Sequence, residues 1–420
     1  MRTPITRVSI TPIAFPDPPL LNSAGLHQPW ALRSIVEVTA ADGSVGLGES
    51  YGDAPHLELL GKVAPVLDGL DVFDLTGLRT RAAAAIGAAD TPDRHGLTGP
   101  SSAAKTLARV VSPFEVALLD LQGQATGRPV WALLGGLVRD RVPFSGYLFY
   151  KWAAHPGAEP DDYGEALDPA GLVEQARRMV ARYGFRSLKL KGGVLPPDDE
   201  IAAVEALREA FPEHPLRLDP NCAWTVETSV RVAEKTAGLL EYLEDPTPGL
   251  AGMAEVAAAV PMPLATNMCV VELGDLPEAV RRDSVQVVLA DHHYWGGLTG
   301  SATLAAVCRT WGIGLSMHSN SHLGISLAAM VHLGAATPNL TYDADTHTPW
   351  QLGADVVTEP LSFVDGAVAV PHGPGLGVTL DRDALARMHA DYLACGLRER
   401  DDTSYLRQFR PGFEKLRPRW

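Results

Sequence analysis

At 420 residues, with 46% hydrophobic residues and a formal net charge of −15, the chain is long enough to bury two packed cores. The acidic balance excludes a nucleic-acid or anionic-membrane surface as its main partner, because such surfaces are gripped by basic stripes that release counterions. Met1 to Ala24 is interrupted by Pro4, Pro12, Pro16, Pro18 and Pro19, so it lacks the apolar core of a signal peptide, and no run reaches the length of a membrane span. Cys222, Cys269, Cys308 and Cys395 are scattered without CxxC spacing, which predicts free thiols in a cytoplasmic protein and neither a zinc site nor a disulfide frame.

Two β-branched runs, Thr6 to Thr11 and Ser34 to Thr39, read as strands joined by a long loop from Pro16 to Pro29 that carries Asn22 and His27. Loops of that length inside a compact region are more often functional than idle. Helical periodicity follows over Pro55 to Leu67, Leu78 to Ala88 and Ser112 to Gln122. The Gly/Pro/Ser-rich stretch Asp90 to Lys105 is a second candidate mobile loop. Residues 1–130 therefore read as an α+β domain of their own.

From Val142 the texture changes to short apolar strand, polar strand end, then helix. Strands are expected at Val142–Tyr147, Ser187–Lys191, Leu216–Asp219, Tyr242–Glu244, Leu264–Asn267, Val285–Leu289, Gly314–Met317 and Leu340–Tyr342. Eight strands alternating with helices over about 200 residues is the rhythm of a closed parallel (β/α)8, or TIM-type, barrel. In such a barrel the strand C-termini converge on one face, and here they carry Lys189, Lys191, Asp219, Asn221, Glu244, Asn267, Asp291, His318 and Asn320.

Lys189 and Lys191 sit two apart on a strand, so both ammonium groups point the same way. Each then opposes charging of the other, and one can serve as a neutral base. Asp219, Glu244 and Asn267 come from consecutive strands, 25 and 23 residues apart, and offer only oxygen ligands. That set selects Mg2+. Asp291 and His318, 27 residues apart on the next strands, make a carboxylate-oriented imidazole, a second acid or base. A metal between two bases suits removal of a weakly acidic proton beside a carboxylate.

The fragments Lys189-Leu-Lys-Gly-Gly193, Leu218-Asp-Pro-Asn-Cys-Ala-Trp-Thr225, Glu244-Asp-Pro246, Ala265-Thr-Asn-Met268, Asp291-His-His-Tyr-Trp-Gly296, Met317-His-Ser-Asn-Ser321 and Asp345-Thr-His347 resemble the glucarate dehydratase group of the enolase superfamily. The resemblance runs from about Asn22 to Asp402. It implies a modified (β/α)7β barrel over 131–365, capped by an α+β domain over 1–130, with 366–420 packing on the cap. It further implies Mg2+ on Asp219, Glu244 and Asn267, Lys191 as base on one face, and His318 with Asp291 as base on the other and acid for the departing hydroxyl. Lys189 would neutralise the substrate carboxylate, and Asn221 and Asn320 would hydrogen-bond the substrate. Asn22, His27, Tyr147, His347 and Arg400 match further substrate contacts, with Ser101 or Ser102 from the second loop. Arg400 suits a second carboxylate through its planar fork.

The implied activity is dehydration of a sugar diacid, D-glucarate first, to the 5-dehydro-4-deoxy acid, through an ene-diolate held by the metal. An epimerase or dehydratase for another acid sugar, such as galactarate or an aldonate, keeps the same catalytic residues. A non-catalytic relative is the alternative from another class. The implied partner is a small acid sugar, and the family resemblance implies a homo-oligomer.

Overall fold

The computed structural model describes residues 3–91 and 101–420. The chain opens with a three-stranded antiparallel sheet, Ile5–Pro16, Trp30–Ala40 and Val45–Tyr51, with the second strand in the middle. The third strand has no obvious propensity, because it reads Val-Gly-Leu-Gly-Glu-Ser-Tyr. Its glycines serve packing instead. A Cβ on Gly46 would lie 2.0 Å from the carbonyl oxygen of Ala117, and one on Gly48 would lie 2.0 Å from that of Pro113. Both face the helix Ala103–Thr126, which can lie on the sheet only because these two side chains are missing. That helix is longer than its periodicity suggested and holds Pro113 inside it.

The barrel strands follow at Arg141–Phe149, Leu188–Lys191, Leu216–Asp219, Tyr242–Glu244, Leu264–Thr266, Val287–Ala290 and Gly314–Met317, each paired in parallel with the next. The eighth strand is Ala344–Thr346 and pairs in parallel with the first. Leu340 bridges Leu315 of the seventh strand, and the amides of Thr341 and Tyr342 donate to the Leu315 carbonyl. The sheet thus returns on itself as a TIM-type barrel in the (β/α)7β form, with seven intervening helices beginning at Pro169–Tyr183 and ending at Gly324–Ala336.

The expected eighth strand, Leu340–Tyr342, is corrected by a few residues. Its β-prone residues lead into the barrel, whereas Ala344-Asp-Thr346 is a strand only because the distant first strand pairs with it. After the barrel, Ala367–Ala369 pairs antiparallel with the start of the first barrel strand. The helix Arg382–Ala394 then packs on the first strand of the N-terminal sheet, with His389 Nδ1 2.7 Å from the Pro12 carbonyl. Among the described residues no helix is long and apolar enough to cross a membrane.

Gly48→Ala should cost about 1–3 kcal/mol of stability by forcing helix and sheet apart. Gly61→Ala, at an exposed position of the helix Ala54–Val63 where an added Cβ meets nothing within 4 Å, should gain about 0.5–1 kcal/mol. Thermal unfolding of the two variants beside the parent checks both signs, and equal shifts would refute the close approach as the reason for Gly48.

Candidate active site

Leu188 to Lys191 alternates faces, so both lysines enter one side of the barrel and are fully buried. Lys189 Nζ lies 2.7 Å from Asp345 Oδ2, 2.7 Å from Glu244 Oε2 and 3.4 Å from Asp219 Oδ2. Lys191 Nζ donates to Asp219 Oδ2 at 2.6 Å. Burial alone would discharge Lys189, but the Asp345 and Glu244 carboxylates hold its ammonium well above the usual lysine range. The expected mutual suppression of the two lysines is therefore corrected for Lys189: the carboxylates around it outweigh its neighbour. Burial likewise opposes ionisation of Asp219, yet Lys191 and Lys189 hold its carboxyl down at about 2.

Glu244 behaves in the opposite way. Burial, then the charge on Asp219, push it well above the ordinary carboxylate range. Lys189 is close to Glu244 Oε2 but not aligned with it, and neither carboxylate oxygen has a hydrogen-bond partner among the described residues. Both polar atoms of the Asn267 side chain are also buried without partners. Orphaned oxygens on Glu244 and Asn267 beside Asp219, with no imidazole or thiol among the three, fit a hard divalent cation.

Across the mouth, Asp291 gathers histidines. His318 Nδ1 donates to Asp291 Oδ2 at 2.9 Å, and His293 Nδ1 to Asp291 Oδ1 at 2.8 Å. Burial works against the Asp291 charge, yet His293 and His322 beside it hold its carboxyl well below the usual range. His318 Nε2 is buried without a hydrogen-bond partner among the described residues. His293 is anchored from the other side: its Nε2 lies 3.0 Å from an Arg33 terminal nitrogen and 3.1 Å from Ser326 Oγ. Arg33 is paired at 2.7 Å with Glu49, and Glu49 also accepts from the Leu323 and Ser326 amides. A chain of contacts thus runs from the N-terminal sheet to His318.

The remaining predicted residues close the site. Asn221 has φ +59, its amide donates to Asp219 Oδ1, and its side chain has no partner among the described residues. The Tyr147 hydroxyl donates to Asp219 Oδ2 at 3.3 Å, and Lys189 Nζ stands 4.7 Å from the centre of its ring. Arg400 gives Nε and one terminal nitrogen to Asp402, while its other terminal nitrogen lies 3.5 Å from Asn320 Oδ1. Asn22 Nδ2 donates to the same Asp402, and His27 Nδ1 is 3.1 Å from Asp17. His347 is held well below the usual histidine range, first by burial and then by His318, His27, Arg400 and Lys191. Barrel, N-terminal loop and C-terminal segment therefore converge around one imidazole. Ser102 caps the helix that follows it and Ser101 donates to Asp90, so both hydroxyls are engaged locally; residues 92–100 of that predicted loop lie outside the described residues.

Sequence reasoning missed Asp345, Asp402, His293 and the Arg33–Glu49 pair. The signal for His293 was present in Asp291-His-His293. The Arg33 contact, 260 positions away, left none.

A family model described as enolase C-terminal domain-like matches residues 171–384. The chain is 56% identical to a probable glucarate dehydratase from Streptomyces coelicolor, over 99% of both sequences. An enolase from Thermobispora bispora, solved with magnesium and formate, superposes with a TM-score of 0.98 at 63% identity, covering 99% of each chain. A Pseudomonas fluorescens enolase with magnesium, potassium and tartrate gives a TM-score of 0.97 at 50% identity, over all of both chains. The chain belongs to the enolase superfamily and is an enzyme.

Lys189→Met leaves Asp345, Glu244 and Asp219 facing one another without their shared counter-charge. Breaking a buried ion pair from one side should cost about 3–5 kcal/mol. Adding Asp345→Asn should recover part of that loss, which chemical denaturation of the single and double variants will read; an unchanged midpoint in Lys189→Met would refute the cage.

Proposed function

We propose that this enolase-superfamily enzyme is a Mg2+-dependent hydro-lyase that removes water from D-glucarate to give 5-dehydro-4-deoxy-D-glucarate. The observation that carries this reading is the pairing of a carboxylate-oriented His318, its Nε2 unpartnered, with Lys191, both close enough to act electrostatically on Asp219. The name of the Streptomyces coelicolor relative supports the choice of substrate.

In this reading Asp219, Glu244 and Asn267 hold Mg2+, which when bound supplies positive charge to the substrate carboxylate as its α-proton becomes acidic. Lys189, kept charged by its carboxylates, adds a second fixed positive charge. Lys191 Nζ takes the α-proton from one face, and His318 Nε2 takes it from the other. Asp291 holds the imidazole by Nδ1 and stabilises its charged form, so that Nε2 can return a proton to the departing β-hydroxyl. Asn221 and Asn320 orient the acid end, Tyr147 and His347 line the chain, and Asn22, His27 and Arg400 enclose the far end. The enzyme acts on a free small acid sugar in the cytoplasm, as a homo-oligomer.

Chelation should abolish turnover of D-glucarate, and Mg2+ or Mn2+ should restore it. Asn267→Leu should weaken metal binding without unfolding the barrel, and full activity of that variant in chelator would sink the ligand assignment. The sharper test is exchange of the α-proton with deuterated solvent, followed by NMR on D-glucarate and L-idarate, which differ at C5. Lys191→Ala should lose exchange from one epimer and His318→Asn from the other, each by about 100-fold or more. A Lys191→Ala enzyme that exchanges both at parental rates would refute the lysine as base. Loss of all exchange in either variant, with metal still bound, would refute independent bases on two faces.

A further inference from the structure

The loops that follow Asp219, Glu244 and Asn267 bring together a second set of donors that the proposed reaction does not use. Cys222 Sγ, a carboxylate oxygen of Asp245 and Cys269 Sγ all lie within 4.8 Å of one another. The Cys222 thiol also lies 3.8 Å from Met268 Sδ. The four cysteines are free thiols, and only this pair shares a cluster with a carboxylate among the described residues.

The donors are held in place by backbone contacts. Asn221 and Cys222 are both left-handed, with φ of +59 and +61, and the Cys222 amide donates to the Asp245 carbonyl at 2.6 Å. Asp245 accepts from the Thr266 hydroxyl at 2.6 Å and from the Asn267 and Met268 amides. The Cys269 amide donates to Thr266 Oγ1 at 2.8 Å. Three loops are thus tied into one frame around two sulfurs and one oxygen.

The thiols border a cavity. A cavity of about 680 Å³ is lined by Cys222, Met268 and Cys269 together with Ser101, Ser102 and Arg417, and neither Lys191 nor His318 lines it. Both thiols therefore border a space that can admit an ion.

The donor chemistry differs from that of the neighbouring oxygen set. Two sulfurs and a carboxylate suit a thiophilic cation such as Zn2+ or Cd2+, whereas Asp219, Glu244 and Asn267 suit a hard one. Metal–sulfur bonds of about 2.3 Å and metal–oxygen bonds of about 2.0–2.2 Å place tetrahedral donors roughly 3.5–4 Å apart, so the cluster needs only a small contraction. A fourth corner is left for water from the cavity or for Met268 Sδ.

We propose that Cys222, Asp245 and Cys269 form a thiophilic cation site, and that filling it inhibits the enzyme by drawing together the loops that carry Asp219, Glu244 and Asn267. Binding stands on the three donors alone. Inhibition rests on the reading of Asp219, Glu244 and Asn267 as the Mg2+ ligands, and the two are measured separately.

The test is titration of the full-length protein with Cd2+ in excess Mg2+, following the ultraviolet thiolate-to-cadmium absorption, with turnover of D-glucarate measured in parallel. One Cd2+ per chain should bind, and turnover should fall in proportion to occupancy. Cys222→Ser and Cys269→Ser should each weaken binding by about 100-fold or more and release the enzyme from inhibition, while Cys308→Ser and Cys395→Ser should do neither. Circular dichroism of the serine variants, which are close to isosteric, establishes that they are folded. Absence of the absorption in the parent, its survival in both cluster variants, or displacement of Cd2+ by Mg2+ would overturn the site. Binding without loss of turnover would overturn the inhibition. A parent protein that turns over no acid sugar yet binds Cd2+ through both cysteines would refute the proposed dehydratase reading and leave the cation site standing.

Discussion

The interaction on which the rest depends is the cage around Lys189. Asp219, Glu244 and Asp345 are fully buried carboxylates; Lys189 and Lys191 reach them at the mouth, and Arg217, paired with Glu241, stands 4.0 Å from Asp345 Oδ1. With Glu241 counted beside Arg217, four carboxylates face three cations, so the cluster is short of positive charge. Glu244 is pushed toward its neutral form, first by burial and then by Asp219, while Asp219, with both lysines on it, stays ionised. The divalent cation proposed for Asp219, Glu244 and Asn267 would reverse the balance and make the mouth attractive to an anion. The overall charge of −15 therefore says little about the substrate, because the field at the site is set over a few ångströms, not over the whole surface.

A second constraint couples the N-terminal sheet to the chemistry. Arginine carries only donors, so the Arg33 contact makes His293 Nε2 the acceptor and leaves the His293 proton on Nδ1, pointing at Asp291. Burial and the neighbouring His292 hold His293 neutral. Asp291 then remains ionised and takes a proton donor from His293 on one oxygen and from His318 on the other. The second bond places the His318 proton on Nδ1 and leaves Nε2 as the basic nitrogen facing inward. Asp291 thus fixes the tautomer of His318, while Arg33, on a strand of the other sheet, fixes that of the His293 that shares the carboxylate. Burying Arg33 is tolerable because Glu49 pairs with it and is itself held by the Leu323 and Ser326 amides.

What the sequence made legible follows from locality. Strand-end residues such as Asp219, Glu244 and His318 announce themselves because a short apolar run and its polar end are adjacent in the chain. The barrel follows from their repetition, and so does the proximity of residues from different strands. Lys189 shows the limit: its alternation with Lys191 was readable, but the sign of its shift depends on Asp345, 156 positions away. The eighth strand fails for the same reason, since Ala344-Asp-Thr346 has weak local preference and is defined by its partner Phe144-Ser-Gly146. The glycines of Val45–Tyr51 look like poor strand residues until the helix that covers them is in view.

Arg400 shows how the two ends of the chain are tied together beside the barrel mouth. Asp402 takes one edge of the guanidinium through Nε and a terminal nitrogen, and Asn22 holds Asp402 from the other side. Burial opposes the Asp402 charge, yet Arg400 keeps its carboxyl at about 2, so the pair stays ionic throughout the neutral range. The second edge of the guanidinium turns toward Asn320, a residue of the catalytic mouth, at the longer distance of 3.5 Å. Holding a planar cation by one edge fixes the plane of the whole group, so its orientation is set by Asp402. Because Asn22 and Asp402 come from opposite ends of the chain, a change in either alters the orientation of Arg400 while leaving Lys191 and His318 untouched. Under the proposed function, selection among acid sugars is thus open to change in the covering segments without rebuilding the barrel.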